Sequence, residues 1–249
     1  MIKEEVMVET LKDWRGREIR IERSRGGKIS VCNYEDNLII PPKSIWPHPD
    51  IVKKLYESNR WTAFDEKALV ELKKKLGYYC DLQSLRSEDA ITWSVFGTLH
   101  YFDKHAQVSF VNSLLKLVGE EKEVNDCFIE LWTRIPHPET LVSGGPELDF
   151  QLSCDKIVIF GECKWTSGIA EGQGKKGDKN QIELRKMFLE KYGHKIFGGV
   201  KGRLVLLVGL DCQAKDCSCL TWEEVCNKTE HPLKDEIKDY YLWKKKYGQ

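Results

Sequence analysis

The chain has 249 residues, 41% of them apolar, 10% aromatic and 31% charged, with basic and acidic side chains balanced at 39 each. That is enough to bury a sizeable core without disulfides, which excludes disorder, collagen-like repeats and small cystine scaffolds, and the net charge points neither to nucleic acid nor to a membrane. No apolar run approaches the ~18 residues of a membrane span, and Met1-Ile2-Lys3-Glu4-Glu5 lacks the apolar stretch of a signal peptide, so a soluble cytoplasmic protein with no membrane partner is expected.

Residues 1–48 read as a β-rich appendage. Ile19 and Ile21 alternate with charges, Gly26-Gly27 suits a tight primed turn, and Ile29 and Val31 alternate on the way back, which is a hairpin pattern. Pro41-Pro42 stops the local structure, and residues 49–249 form the main domain. Helical periodicity covers 50–58 and 65–76, and a stronger helix opens at Ser87. Ser87 is a good N-cap, Glu88 and Asp89 occupy the first turn, and Ile91, Val95 and Leu99 share one face. Another helix covers Gln107 to Val118. The period then changes from 3.6 to 2: Cys127 to Arg134, Glu147 to Leu152 and Ile157 to Lys164 read as strands, separated by the Pro136 to Pro146 loop and a tight Ser153 to Lys156 turn. A Gly- and Lys-rich loop, 168–177, leads to a helix over 178–192, and Leu204 to Leu210 is an apolar strand suited to a buried central position. Thr221 and Glu224 have capping-box spacing for a short helix, and the tail from Asp235 is helical and Lys-rich. The core, about 87–210, thus runs helix, three strands, helix, strand, with the helix at Gln107 as an extra. The fold class expected is α/β, a mixed central sheet flanked by helices.

Nine cysteines without a secretory signal argue for reduced thiols. Their tightest group, Cys212, Cys217, Cys219 and Cys226, lacks the C-x2-C knuckle of most zinc sites; scattered thiols are the expectation, and a metal there is left open. Charge is uneven despite the balance. Between Trp165 and Arg203 nine basic residues face four acidic ones, and Arg15 to Lys28 has six basic residues against two acidic. Such runs are commonly solvated faces, and they are also what phosphate contact requires.

In Phe160-Gly161-Glu162-Cys163-Lys164 an apolar strand acquires two opposite charges spaced by two, so Glu162 and Lys164 share one face and Cys163 takes the other. An exposed ion pair would account for that alone. The preceding strand adds Pro146-Glu147-Leu148-Asp149. A two-residue Cys154-Asp155 turn would pair Ser153 with Lys156 and place Asp149 opposite Phe160, diagonal to Glu162 and on its face; a three-residue turn would separate the two carboxylates. Asp149, Glu162 and the Cys163 carbonyl form an oxygen set suited to Mg²⁺ or Mn²⁺, with Lys164 placed to orient water or offset charge on a phosphate.

Pro146-x-x-Asp149, followed after twelve residues by Glu162-Cys163-Lys164, resembles the signature of the PD-(D/E)XK nuclease superfamily, which includes restriction endonucleases, junction resolvases and repair exonucleases. The order of elements between Ser87 and Leu210, about half the chain, resembles the αβββαβ restriction-endonuclease-like core. The proline lies three residues before the aspartate rather than beside it. The resemblance implies a Mg²⁺- or Mn²⁺-dependent deoxyribonuclease acting in restriction, repair or defence, with Asp149 and Glu162 as metal ligands and Lys164 as catalytic lysine. Glu88 resembles the acidic residue of the first core helix that reaches the metal in many members; it equally complements its own helix terminus. Gln181 resembles a site-facing residue of the next helix, or is an ordinary first-turn polar residue. Lys175, Lys176, Lys179 and Arg185 are the phosphate-contact candidates, and Trp165 could stack on a base. DNA is the expected partner, with oligomeric state open, a homodimer included. A catalytically silent nucleic-acid-binding or assembly module on the same fold is the alternative.

Overall fold

The computed structural model describes residues 7–42, 44–57, 82–140, 145–174, 176–212, 214 and 216–249. The helix expected over 65–76 and Lys175 lie outside them. The chain divides into two compact units, one drawn from residues up to Ser94 together with Asp235–Gln249, the other from Val95–Lys234. The first unit therefore extends well past residue 48 and takes in the carboxy-terminal tail.

The first unit holds an antiparallel sheet of β1 (Met7–Lys12), β2 (Glu18–Arg23) and β3 (Ile29–Val31). The expected hairpin is present, with Ile21 opposite Val31 and the apolar residues Ile19, Ile21, Ile29 and Val31 buried. Its turn is wider than a two-residue primed turn. Arg23 pairs with Ile29, the Ser24 N–H donates to the Lys28 carbonyl, and only Gly27 of the glycine pair is left-handed, at φ +76°. β1 carries no regular alternation and was not anticipated. Two helices follow, α1 (Pro49–Glu57) and α2 (Glu88–Val95). Ser87 caps α2 as expected, its Oγ accepting the Ala90 N–H at 3.1 Å. The helix ends at Val95, so Leu99 lies beyond it in a separate 3-10 turn, Gly97–Tyr101.

The carboxy-terminal helix, Lys234–Tyr247, supplies this unit's aromatic anchors. The Tyr240 hydroxyl donates to the Asn37 carbonyl at 3.0 Å, Trp243 Nε1 to the Lys12 carbonyl at 2.9 Å, and Trp14 meets Tyr240 edge-on at 4.8 Å.

The second unit contains α3 (Lys104–Leu117), capped by Asp103, and a five-stranded mixed sheet. Its strands are β4 (Cys127–Arg134), β5 (Glu147–Cys154), β6 (Ile157–Cys163), β7 (Gly202–Gly209) and β8 (Ser218–Thr221), paired in that order. The first three are antiparallel, and β6, β7 and β8 run parallel. A parallel step cannot be closed by a hairpin, and α4 (Gln181–Ile196) makes the connection between β6 and β7. The short α5 (Trp222–Lys228) carries the expected Thr221/Glu224 capping box. β6 is buried at every position, as a central strand covered on both faces must be. One face packs Val158, Phe160 and Val205 against Ile182, Phe188 and Leu189 of α4. The other stacks Phe150 on Phe96 at 3.9 Å, with Phe110 and Trp222 edge-on to Phe96. Burial of each such side chain is worth about 1.5–3 kcal/mol. A Cβ at Gly161 would fall inside the Phe150 ring, so only glycine fits there.

The β5–β6 turn is two residues long but is Asp155-Lys156, one residue later than expected. The register therefore pairs Ser153 with Val158 and Phe150 with Gly161. The cause is distant in sequence: the Asp155 carboxylate accepts the Asn125 N–H at 3.1 Å while its own N–H donates to the Asp126 carbonyl, which fixes Asp155 at the tip. The cysteines also depart from expectation, because Cys212 and Cys219 form a disulfide, while among the described residues Cys32, Cys127, Cys154, Cys163, Cys217 and Cys226 are thiols. The protein is thus mixed α/β, with a five-stranded mixed sheet flanked by helices and a three-stranded antiparallel sheet. Among the described residues no helix is long and apolar enough to cross a membrane.

Candidate active site

Asp149, Glu162 and Lys164 come together at the carboxyl end of β6, beside the parallel strand β7. In open α/β sheets this end of the strands forms the usual binding crevice. Lys164 follows β6 directly, and its backbone is held from two sides: its N–H donates to the Val208 carbonyl at 2.8 Å, and its carbonyl accepts Trp222 Nε1 at 2.8 Å. With that peptide fixed, the alternation of the strand sends Glu162 and Lys164 to one face, and their side chains meet, Nζ to Oε1 at 2.7 Å. Glu162 is 1% exposed, while the Lys164 side chain keeps 15%.

Asp149 completes the group. One step beyond the Phe150–Gly161 pair, the register sets Asp149 level with Glu162 rather than diagonal to it. The shift of register is by an even number of positions, so both carboxylates stay on one face. There Asp149 Oδ2 accepts the Cys163 N–H at 2.7 Å. The Cys163 side chain is buried and, by alternation, lies on the opposite face.

Arg185 occupies a different place from the one expected. It is fully buried, its guanidinium pairs with Glu162 Oε2, Nη2 donates to the Glu147 carbonyl at 2.6 Å and Nη1 to the Gln181 carbonyl at 3.0 Å. A group so enclosed does not meet a phosphate in solution. The signal was present in the sequence: Ile182, Arg185, Phe188 and Leu189 recur at helical spacing, which puts Arg185 in the apolar stripe of α4. Gln181 opens that helix, and its side-chain oxygen accepts the Ala170 N–H at 3.1 Å, tying the loop to the helix start.

The basic loop is folded on itself. Gln173 and Lys179 exchange backbone hydrogen bonds at 2.7 and 3.0 Å, and Gly172, Gly174 and Gly177 are left-handed, which explains the glycines. Lys176 is exposed. Lys179 is paired with Asp178 at 3.1 Å and Glu139 at 3.3 Å, and its hydrogen bond to Asp178, then that to Glu139, raises its pKa above the ordinary lysine value. Trp165 is 2% exposed and offers no ring for stacking. Glu88 belongs to the first unit, where its charge acts on the buried Lys244.

Asp149 and Glu162 on facing positions are a donor set of the hard oxygen type that fits Mg²⁺ or Mn²⁺. Comparisons with family models, with curated proteins and with solved structures find no match for this chain.

Proposed function

We propose that the protein is a Mg²⁺- or Mn²⁺-dependent nuclease hydrolysing DNA phosphodiester bonds. The reading is carried by one observation: Asp149, Glu162 and Lys164 lie together on one face at the carboxyl end of β6. Asp149 and Glu162, with the Cys163 carbonyl, would hold the ion, whose chemistry when bound is to polarise a phosphoryl oxygen. The lysine ammonium is placed to orient the attacking water or to offset charge on the phosphate. Lys176 on the exposed loop would meet the backbone of an arriving polyanion, and Gln181 would position that loop.

Incubating the full chain with linear, circular and branched DNA, with Mg²⁺ or with EDTA, tests this. Cleavage that needs the ion and is lost in Glu162→Gln is the expected result; an unimpaired Glu162→Gln enzyme would refute the assignment. A second reading, a nucleic-acid-binding or assembly module without turnover, is favoured by the fact that both oxygens of Glu162 already meet a cation. DNA binding without cleavage under every ion tried would select it.

A further inference from the structure

Glu162 is gripped from two sides by unlike cations. Arg185 meets Oε2 with a side chain that is 1% exposed, and Lys164 meets Oε1 with one that is 15% exposed. Formally the cluster is neutral, since Asp149 and Glu162 offset Lys164 and Arg185. A divalent ion between the two carboxylates must therefore share or take a Glu162 oxygen that a cation now holds, and the two cations are not equally able to yield.

Arg185 cannot yield. A guanidinium does not lose its proton in a protein, and this one is also fastened to the Glu147 and Gln181 carbonyls. Parting it from Glu162 would leave a buried unpaired charge, the change that makes breaking one side of a buried pair strongly destabilising. The Lys164 ammonium sits at the end of a flexible stem with a path to water, and its backbone is fixed independently of its head group.

We infer that Arg185 is the permanent positioning residue of Glu162 and Lys164 the exchangeable cation: an arriving divalent ion takes Oε1 from Lys164, while Arg185 keeps Oε2 and so keeps the carboxylate aimed. The inference rests on the nuclease reading, and it assigns to ion binding a second consequence, the release of the Lys164 ammonium toward the phosphate. The site is then armed only when loaded. Arg185 belongs to the buried structure of α4 and β5, yet it acts on the ion through Glu162 rather than by contact.

Titrating Mn²⁺ alone into the full-length protein by calorimetry separates the two roles. Lys164→Met removes the competitor without disturbing the core, and Mn²⁺ should bind about tenfold tighter. Arg185→Lys keeps the charge but not the fork, because a single ammonium cannot hold Oε2 and both carbonyls in one geometry; Mn²⁺ should bind at least about tenfold more weakly. A merely structural arginine would lower the melting temperature in Arg185→Lys and leave Mn²⁺ affinity unchanged. Affinity unchanged in Lys164→Met, or tightened in Arg185→Lys, overturns the inference while leaving the nuclease reading intact. If Arg185→Lys fails to fold, the Lys164→Met titration still decides. Absence of Mn²⁺ binding in both the unmodified chain and Lys164→Met overturns the metal reading itself, and this inference with it.

Discussion

Glu162 and Lys164 could be read from the sequence because charge inside an apolar strand is costly and has to be accounted for. Arg185 reads from the sequence as a phosphate contact, since it follows Gln181 by one helical turn within a basic segment, but its partner lies 23 positions away on another element. The three-residue group makes a sharp prediction. If the chain is the proposed nuclease, Asp149→Asn should abolish both cleavage and ion binding, whereas Lys164→Ala should keep the ion and lower the single-turnover rate by about 10²-fold, as loss of a transition-state donor does. The pair of substitutions together should cost little more than the worse one, because residues acting as a unit are not additive. His231 allows a prediction of another kind. Its Nδ1 accepts the Leu233 N–H at 2.9 Å, so Nε2 carries the proton and donates to the Val95 carbonyl at 3.0 Å. Burial lowers its pKa to about 4. Between that value and the ordinary 6.5 the unfolded chain binds a proton that the folded chain refuses, so stability must fall as pH drops through this window, by roughly 3 kcal/mol in all. Thermal denaturation of the second unit at pH 7.0, 5.5 and 4.5 checks it, and His231→Gln should flatten the dependence.

The strands and helices of the second unit were largely legible because each has a clean period, and β4 begins and ends at the residues expected. What periodicity could not supply was the β5–β6 register, since the residue at the turn is chosen by Asn125 and Asp126, some 30 positions earlier. The start of α4 was likewise placed a few residues early, though its capping box is explicit: Asn180 Oδ1 accepts the Glu183 N–H at 2.9 Å, and Glu183 Oε2 accepts the Asn180 N–H at 2.7 Å. Asn180→Ala should cost about 1 kcal/mol and lower the melting temperature by a few degrees. The loop before that helix makes a finer distinction. If it contacts DNA, exposed Lys176→Gln should reduce the log–log salt slope of binding by about 0.9, while Lys179→Gln should change it less, because Lys179 already spends its charge on Asp178 and Glu139. Equal slopes for both variants would return the loop to the role of a solvated turn.

At the scale of the chain, the division into units was the least legible feature, because the first and last segments meet without any shared local pattern. The tail is helical and Lys-rich as its sequence indicates, yet Lys244 is fully buried there and donates to the Leu85 carbonyl at 2.7 Å. Burial drives its pKa down to about 7 from 10.5, against the opposing pull of Glu88. Below pH 7 both folded and unfolded chains carry the proton, and the cost of burying an ammonium is present in full. As pH rises from about 7 toward 10 the folded chain gives the proton up first, the unfolded chain binds more protons, and the stability of the first unit must increase. That direction is opposite to the loss expected on alkaline titration of surface lysine–carboxylate pairs, which makes it diagnostic. Denaturant unfolding of the first unit followed at pH 7, 8, 9 and 10 should show the rise, and Lys244→Met, which fills the same space without a charge, should remove it. A wild-type curve that is flat or falling over that range would mean that Lys244 keeps its proton and that the tail does not bury it.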